Sequence, residues 1–231
     1  MKKKNKNILL CLFLFLMILS FCSLLSWNKE NKNIKKILNN EKKYLISIQN
    51  TDNKPYLNKK LFKDNPDTIG WLKVEGTNIN YPIVQYNDNE YYLKHDFKKN
   101  KNSAGWIFMD YKNDFNDQNI VIYGHNRRDK SMFGTINMLF DSKFYKNNKD
   151  EILLIKENEI IKYKIFSVYK IHYTDDYNSL NYESLKEKIT IFKKRSELPF
   201  DLNFENAKQI ITLSTCSNDN RYRLVVHGLK V

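Results

Sequence analysis

The chain of 231 residues has few cysteines, glycines and prolines: 3, 6 and 4. So little glycine and proline excludes collagen-like and proline-rich linker proteins. Zinc-ligand spacings such as C-x-x-C or H-E-x-x-H and a glycine-rich phosphate loop are also missing, so the sequence predicts no metal and no cofactor. Cys11 and Cys22 lie in an apolar N-terminal run, which leaves Cys216 as the one thiol beyond it, without a partner for an internal disulfide.

A focused basic stripe is also missing, although the net charge is +13. The lysines are scattered among asparagines and are not grouped with arginines and interleaved aromatics. Nucleic-acid binding needs such a focused footprint, so we expect no nucleic-acid partner. A diffuse basic surface suits anionic lipid and polyanionic wall polymers.

The N-terminus carries a basic head, MKKKNKN, followed by the uncharged residues 8–27, ILLCLFLFLMILSFCSLLSW. About 20 apolar residues are enough for a helix to cross a bilayer. Lysines before such a span favour a cytoplasmic N-terminus and export of the rest. A cleaved signal peptide is the alternative, but residues 20–27 contain no clean small-x-small cleavage site. Residues 1–27 are therefore predicted to be a cytoplasmic head and an uncleaved single-pass anchor, with the remaining chain extracellular.

The exported part has helical periodicity at first and strand periodicity afterwards. Residues 28–50 place Ile34, Ile37, Leu38, Leu45 and Ile48 on one helical face, and residues 51–55 should end that helix. Further helices are predicted at 56–63, 131–139, 142–147 and 183–195. Strands are predicted at 70–74, 79–84, 103–109, 118–123, 151–156, 160–171, 208–216 and 223–231. Eight short strands without βαβ alternation favour a mainly β, α+β fold with a closed or nearly closed barrel.

Cys216 ends an apolar, β-branched run, residues 210–216, IITLSTC. Because side chains alternate along a strand, Thr212, Ser214 and Cys216 share one face and the apolar-rich set shares the other. We expect the apolar face to enter the core and the hydroxyl and thiol face to line a groove. The alternative is a buried structural cysteine.

A histidine and two arginines stand where they can complement this thiol. His125 follows Gly124, where a predicted strand ends, and Arg221 and Arg223 follow Cys216. A guanidinium near sulfur stabilises a thiolate and donates to an oxyanion. Together these residues predict a cysteine nucleophile, a histidine acid/base and an arginine stabiliser. Taken singly, a core or surface histidine and solvated arginines are the alternatives.

Several separated motifs resemble one family. Residues 212–216, TLSTC, resemble the TLxTC signature of sortases, the cysteine transpeptidases of Gram-positive surfaces, and residues 123–125, YGH, resemble their histidine motif. Residues 65–72, 81–85 and 104–111 are similar to class B segments, as are the N-terminal helices and the helix before the cysteine strand. The resemblance runs from about residue 30 to the end of the chain.

This resemblance implies an eight-stranded sortase-type barrel at residues 65–231, with an N-terminal helical segment, residues 28–64, packed on it. It implies that Cys216 cleaves a C-terminal sorting signal after threonine and forms a thioacyl intermediate. The amine of a peptidoglycan precursor of the lipid II type then accepts the surface protein. His125 would protonate the leaving amine and deprotonate the incoming one, and Arg223 would steady the oxyanion.

The resemblance also implies substrate-binding positions at Ser214, Tyr177, Leu93 and Asn89, and it implies no calcium site. Arg221 remains the alternative to Arg223, because the spacing from the cysteine is shorter than the family often has. Two other functions stay open: a secreted cysteine peptidase that only hydrolyses, and a non-catalytic membrane-tethered binding module. The sorting motif and the cargo are not indicated.

Overall fold

Eight strands form a closed barrel in the computed structural model, which describes residues 2–44, 57–216 and 221–231. The order around the barrel is β1-β2-β3-β4-β7-β8-β6-β5. The pairs β2/β3 and β4/β7 are parallel and the others are antiparallel. The predicted eight-stranded α+β barrel is confirmed. Its strands are β1 Thr68–Val74, β2 Asn80–Val84, β3 Phe108–Met109, β4 Asn119–Tyr123, β5 Glu151–Ile155, β6 Ile160–His172, β7 Ile210–Cys216 and β8 Tyr222–Lys230.

Three α-helices and four short 3₁₀ turns accompany the barrel in the described ranges. The helices are α1 Lys2–Glu41, α2 Lys59–Asp64 and α3 Leu185–Arg195, and the turns are Lys42–Tyr44, Tyr91–Leu93, Ile136–Phe140 and Phe144–Lys146. The predicted helix at 131–139 is wrong in its first half, because Lys130 and Met132 have φ of 66° and 51°. A left-handed backbone cannot continue an α-helix. The predicted strand at 103–109 is reduced to its last two residues.

The helix α1 carries the apolar run without a break into the folded domain. It is the one helix in the described ranges long and apolar enough to cross a membrane. Past that run, Ile34 and Ile37 are buried in the core beside the barrel, which confirms the predicted apolar face up to Leu38. The predicted continuation through Leu45 and Ile48 and the break at 51–55 lie outside the described residues.

The strand β7 is packed on both of its faces. Ile211 and Leu213 enter the barrel interior, whereas Ile210 joins a second cluster outside the barrel. That cluster is built by the apolar face of α3 with residues of β6 and β8, namely Leu185, Ile189, Phe192, Phe166, Tyr169, Ile171, Val225 and Leu229. Ser184 caps α3 by accepting a hydrogen bond from the Glu187 amide, and basic residues fill its last turn. Burial on both faces fixes the backbone that ends at Cys216.

Candidate active site

Three strand ends bring the predicted catalytic positions to one edge of the barrel. The parallel pair β4/β7 aligns Tyr123 with Ser214, so both strands finish at the same edge. The antiparallel pair β7/β8 aligns Cys216 with Arg223. His125 follows β4 by two residues. The sheet therefore gathers positions that are far apart in sequence, as the motifs predict.

A cavity of about 260 Å³ lies at this edge. Five of the seven predicted site residues line it, namely His125, Arg223, Tyr177, Leu93 and Asn89. Lining residues that the sequence did not single out are Phe108, Tyr123, Gly124, Tyr173 and Thr215. The side chain of Cys216 lies outside the described part, so the predicted face of the thiol stays a prediction.

The imidazole of His125 is oriented by a backbone carbonyl. Its Nε2 lies 2.9 Å from the oxygen of Leu93. A carbonyl only accepts, so Nε2 carries a hydrogen and Nδ1 is left as the basic nitrogen. Leu93 thus positions the histidine through its backbone, a role that the sequence did not suggest. This tautomer leaves one nitrogen for proton transfer.

Gly105 lets the chain pass close behind this histidine. Its φ is 58°, and a Cβ there would lie 2.6 Å from the oxygen of Tyr92 and 3.0 Å from Cδ2 of His125. The next amide, of Trp106, donates to the same Tyr92 oxygen at 2.8 Å. This crossing replaces the start of the predicted strand at 103–109. Only glycine combines that backbone angle with that closeness.

The two arginines occupy different positions. Arg223 lies within β8 and lines the cavity, and its Cζ is 5.7 Å from the ring centroid of Tyr173. Its Nη1 also donates to the Tyr222 carbonyl at 3.1 Å. Arg221 precedes β8, is exposed, and accepts a hydrogen bond from the Tyr173 amide through its carbonyl. A ring contact and a backbone bond therefore hold the guanidinium of Arg223 beside the cavity.

The hydroxyl face of β7 is covered. Thr212 and Ser214 are 0% and 2% exposed, so the prediction that this face lines an open groove is wrong for these two residues. The physical reason is that α3 and the loop before it pack over the strand. Ser214 donates to the hydroxyl of Tyr177 at 3.1 Å, so it lies behind a residue of the cavity wall. Its substrate-binding role stays a prediction.

Thr212 belongs to a buried polar network on the same face. Its hydroxyl donates to Oδ1 of Asn119 at 2.7 Å and accepts from Nδ1 of His227 at 2.9 Å. The hydroxyl of Tyr169 lies 2.7 Å from Nε2 of His227. Burial first, and the charges of Arg195 and Lys188 second, hold the pKa of His227 well below its usual value. His227 is therefore a neutral structural residue.

A second network links the two walls of the cavity. The Oδ2 atom of Asp110 accepts from Nδ2 of Asn89 at 2.8 Å and from the hydroxyl of Tyr123 at 3.0 Å. The same hydroxyl accepts from Nδ2 of Asn178 at 2.9 Å. Burial raises the pKa of Tyr123, so its hydroxyl keeps its proton. Sequence reasoning missed Asp110 and Asn178. The position of Tyr123 next to the histidine motif was the available signal.

The remaining lining groups complete a site suited to acyl transfer. Thr215 is 3% exposed, and its hydroxyl has no hydrogen-bond partner among the described residues. A histidine with a basic nitrogen, a held guanidinium and the strand end of a cysteine are the groups that thioester chemistry needs. The described residues include no cluster of three or more His, Cys, Asp or Glu side chains that would hold a metal.

Comparison with known proteins identifies the family of this chain. The sortase domain family matches residues 72–231. Sortase B of Listeria monocytogenes is 36% identical over 182 residues, which are 73% of this chain and 71% of that protein. The crystal structure of Clostridium perfringens sortase B is 37% identical with a TM-score of 0.68, covering 75% of this chain and 98% of that one. Bacillus anthracis sortase B is 30% identical with a TM-score of 0.75, covering 88% and 98%. The chain therefore belongs to the sortase B family of cysteine transpeptidases.

Proposed function

We propose that this chain cleaves a C-terminal sorting signal after threonine and joins the released carboxyl group to the amine of a peptidoglycan precursor. The observation that carries the proposal is the pairing of Cys216 with Arg223 at the rim of a cavity that His125 also lines. Nucleophile, charge stabiliser and acid/base then surround one substrate carbonyl. Substrates are surface proteins that carry such a signal.

Acylation begins when the thiolate of Cys216 attacks the threonine carbonyl and a carbon–sulfur bond forms. The guanidinium of Arg223 donates hydrogen bonds to the oxyanion, where charge develops. The intermediate collapses with cleavage of the carbon–nitrogen bond, and protonated His125 gives its proton to the departing amine. The product is a thioester on Cys216.

Deacylation reverses these roles. The incoming amine attacks the thioester carbonyl, and neutral His125 takes its proton. Collapse of the second oxyanion, again facing Arg223, breaks the carbon–sulfur bond and releases the thiolate of Cys216. The new peptide bond joins the surface protein to the wall precursor. No external oxidant, metal or cofactor enters the balance.

Four further residues would hold the signal peptide. We assign Leu93 to an apolar contact with the peptide and Asn89 to a polar contact beside it. Tyr177 forms the opposite wall, and Ser214 acts behind it through the hydrogen bond to its hydroxyl. Each of these assignments can be tested by substituting the residue and measuring KM for a sorting peptide.

The membrane arrangement is part of the proposal. Residues 1–27 would form the cytoplasmic head and the uncleaved anchor, residues 28–64 a helical segment on the barrel, and residues 65–231 the catalytic barrel outside the cell. The unbroken helix α1 supports a direct connection between anchor and domain. The exported domain then works next to the membrane in which lipid-linked precursors are carried.

The test uses the full chain, a library of sorting-signal peptides and an acceptor amine such as oligoglycine or a diaminopimelate stem peptide. We expect cleavage after threonine and a ligated product by mass spectrometry. Cys216→Ala should lose both, and His125→Ala should lose at least ~10²-fold in rate. Cleavage by Cys216→Ala at the normal rate would refute the proposal.

The same assay separates the two alternatives. A peptidase that only hydrolyses gives free acid at every amine concentration and no ligated product. A non-catalytic binding module gives neither product and stays unlabelled by a thiol-reactive sorting-peptide analogue. Either result would replace the transpeptidase proposal.

A further inference from the structure

The part of α1 that follows the apolar run is hydrogen-bonded to loops of the barrel domain. Glu30 accepts a hydrogen bond from the hydroxyl of Ser103, and Arg127 Nη2 donates to Oδ1 of Asn31 at 2.5 Å. One turn further along, Ile34 is 1% exposed in the core. A membrane helix fixed in this way cannot swivel freely. The barrel surface near residue 30 is therefore held at the membrane boundary.

A cavity of about 500 Å³ lies at that boundary. One side is formed by Leu24 and Trp27 of α1. The other side comes from the barrel and is lined by Ser103, His125, Asn126, Arg127 and Arg128. Trp27 is 43% exposed at the end of the apolar run, where an aromatic side chain marks the headgroup level. The cavity therefore opens between the bilayer and the loop that carries His125.

The charges around this cavity favour an anion. Arg128 is exposed and has neither an ion pair nor a hydrogen bond with any residue that the structure describes. Arg127, in contrast, is paired with Asp129 at 3.2 Å. The one acidic side chain on the facing turn of α1, Glu30, is bonded to Ser103. Lys29 is exposed two residues after Trp27. The guanidinium of Arg128, which has no partner among the described residues, thus lines the same cavity as Trp27 at the expected headgroup depth.

We propose that this cavity binds the phosphate of an anionic phospholipid headgroup, with Arg128 as the main ligand and Trp27 and Leu24 against its glycerol and upper acyl region. This inference rests on the proposed membrane anchor. A guanidinium is well suited to phosphate because its donors form a planar fork. Near an anionic bilayer, each basic side chain adds electrostatic attraction to the membrane. An exposed basic residue far from the membrane adds none. The bound headgroup would hold the His125 side of the domain against the membrane.

The test uses the full chain in nanodiscs, checked by intact mass for the uncleaved N-terminus. The probe is phosphatidylglycerol with a photoreactive headgroup, and cross-linked peptides are mapped by mass spectrometry. We expect cross-links within residues 124–130 and in the turn after Trp27. Arg128→Ala should lower their yield by ~5-fold, the scale of one basic residue at the surface, and Arg128→Lys should restore part of it.

Lys194→Ala, an exposed basic residue on α3 outside the cavity, is the matched control and should keep the full yield. Equal yields for wild type and Arg128→Ala, or no excess over a photoreactive phosphatidylcholine, would overturn the site. The catalytically inactive Cys216→Ala chain should cross-link like wild type, because the readout needs no chemistry at the thiol. Failure of this proposal is thereby distinguishable from failure of the proposed enzyme activity. Unchanged melting temperatures show that the variants fold.

Discussion

Cys216 and Arg223 face each other as register partners on adjacent antiparallel strands. The register is fixed well away from the site, where Ile210 pairs with Leu229 and Thr212 pairs with His227. These four residues of the register are buried under α3 or hydrogen-bonded to each other. A slip by one residue would move every side chain to the wrong face. The packed sheet therefore sets which arginine is the register partner of Cys216.

This register predicts a clear difference between two neighbouring arginines. Arg223→Ala should lower kcat/KM by about 10²–10³-fold, the scale of losing one oxyanion donor. Arg223→Lys should keep the charge and part of the rate but lose the fork geometry. Arg221→Ala is the matched control and should cleave sorting peptide at nearly the normal rate. A larger loss in Arg221→Ala than in Arg223→Ala would contradict the assignment.

Substitution of Gly105 should affect both folding and catalysis. Gly105→Ala forces a side chain onto a φ of 58° and against His125, so it should destabilise the fold by roughly 1–3 kcal/mol and also reduce kcat/KM. Gly76→Ala is the control, because its φ is 75° and its Cβ would meet Asn148 and Phe144 instead. That variant should melt earlier and keep its kcat/KM. Thermal melting and peptide cleavage on both proteins measure the difference.

The local periodicity of the sequence was enough to predict α3 and the three strands on which it packs. The helix predicted at 183–195 is α3, and the strands predicted at 160–171, 208–216 and 223–231 lie within about two residues of β6, β7 and β8. The failures come from long-range contacts. Residues 131–135 are not helical, because their conformation depends on hydrogen bonds to distant residues, such as that from the Met132 amide to Tyr81.

The site was predictable only where a short motif carries the residue. His125 and Arg223 stand next to strand ends, so their position at one edge of the barrel follows from the sheet. The link through Asp110 and Asn178 depends on how two distant loops fold over the barrel edge, and no spacing in the sequence encodes that. The burial of Ser214 has the same origin, since strand alternation gives a face but not what covers it.

The link across the cavity predicts a role for a single hydroxyl. Tyr123→Phe removes one of the two donors to Oδ2 of Asp110 and the acceptor of the Asn178 amide group, so it should destabilise the fold by about 1–3 kcal/mol. Because the two walls are no longer joined, KM for the sorting peptide should rise. Tyr163→Phe breaks a buried bond to Gln209 that does not border the cavity, so it should lower stability with an unchanged KM. An unchanged KM in Tyr123→Phe would separate this hydroxyl from substrate binding.

Removing the charge of Glu41 should increase the stability of the protein. It is 1% exposed, its Oε2 has no hydrogen-bond partner among the described residues, and burial raises its pKa to about 6. Above that pH the folded state holds an ionised buried carboxylate, which opposes folding. Glu41→Gln should therefore melt higher than wild type above pH 6, with the gain disappearing as the pH falls towards 4.5. An equal gain at both ends of this range would show that charge is not the cause.

The buried, neutral His227 should make the protein less stable as the pH falls. This pH dependence is opposite to the one that Glu41 causes. Its ring stacks on Phe192 with centroids 4.0 Å apart, and burial keeps its pKa in the folded state well below the usual value for a histidine. As the pH falls through the unfolded value, the unfolded chain binds a proton that the folded chain excludes. The free energy of unfolding should then fall by up to ~1.4 kcal/mol per pH unit. Urea unfolding from pH 7.5 to 5 in the Glu41→Gln background isolates this effect, because the carboxylate contributes in the other direction. His227→Gln should be less stable at pH 7.5 but show a shallower slope than its parent. A slope that persists in His227→Gln would assign the acid sensitivity to another group.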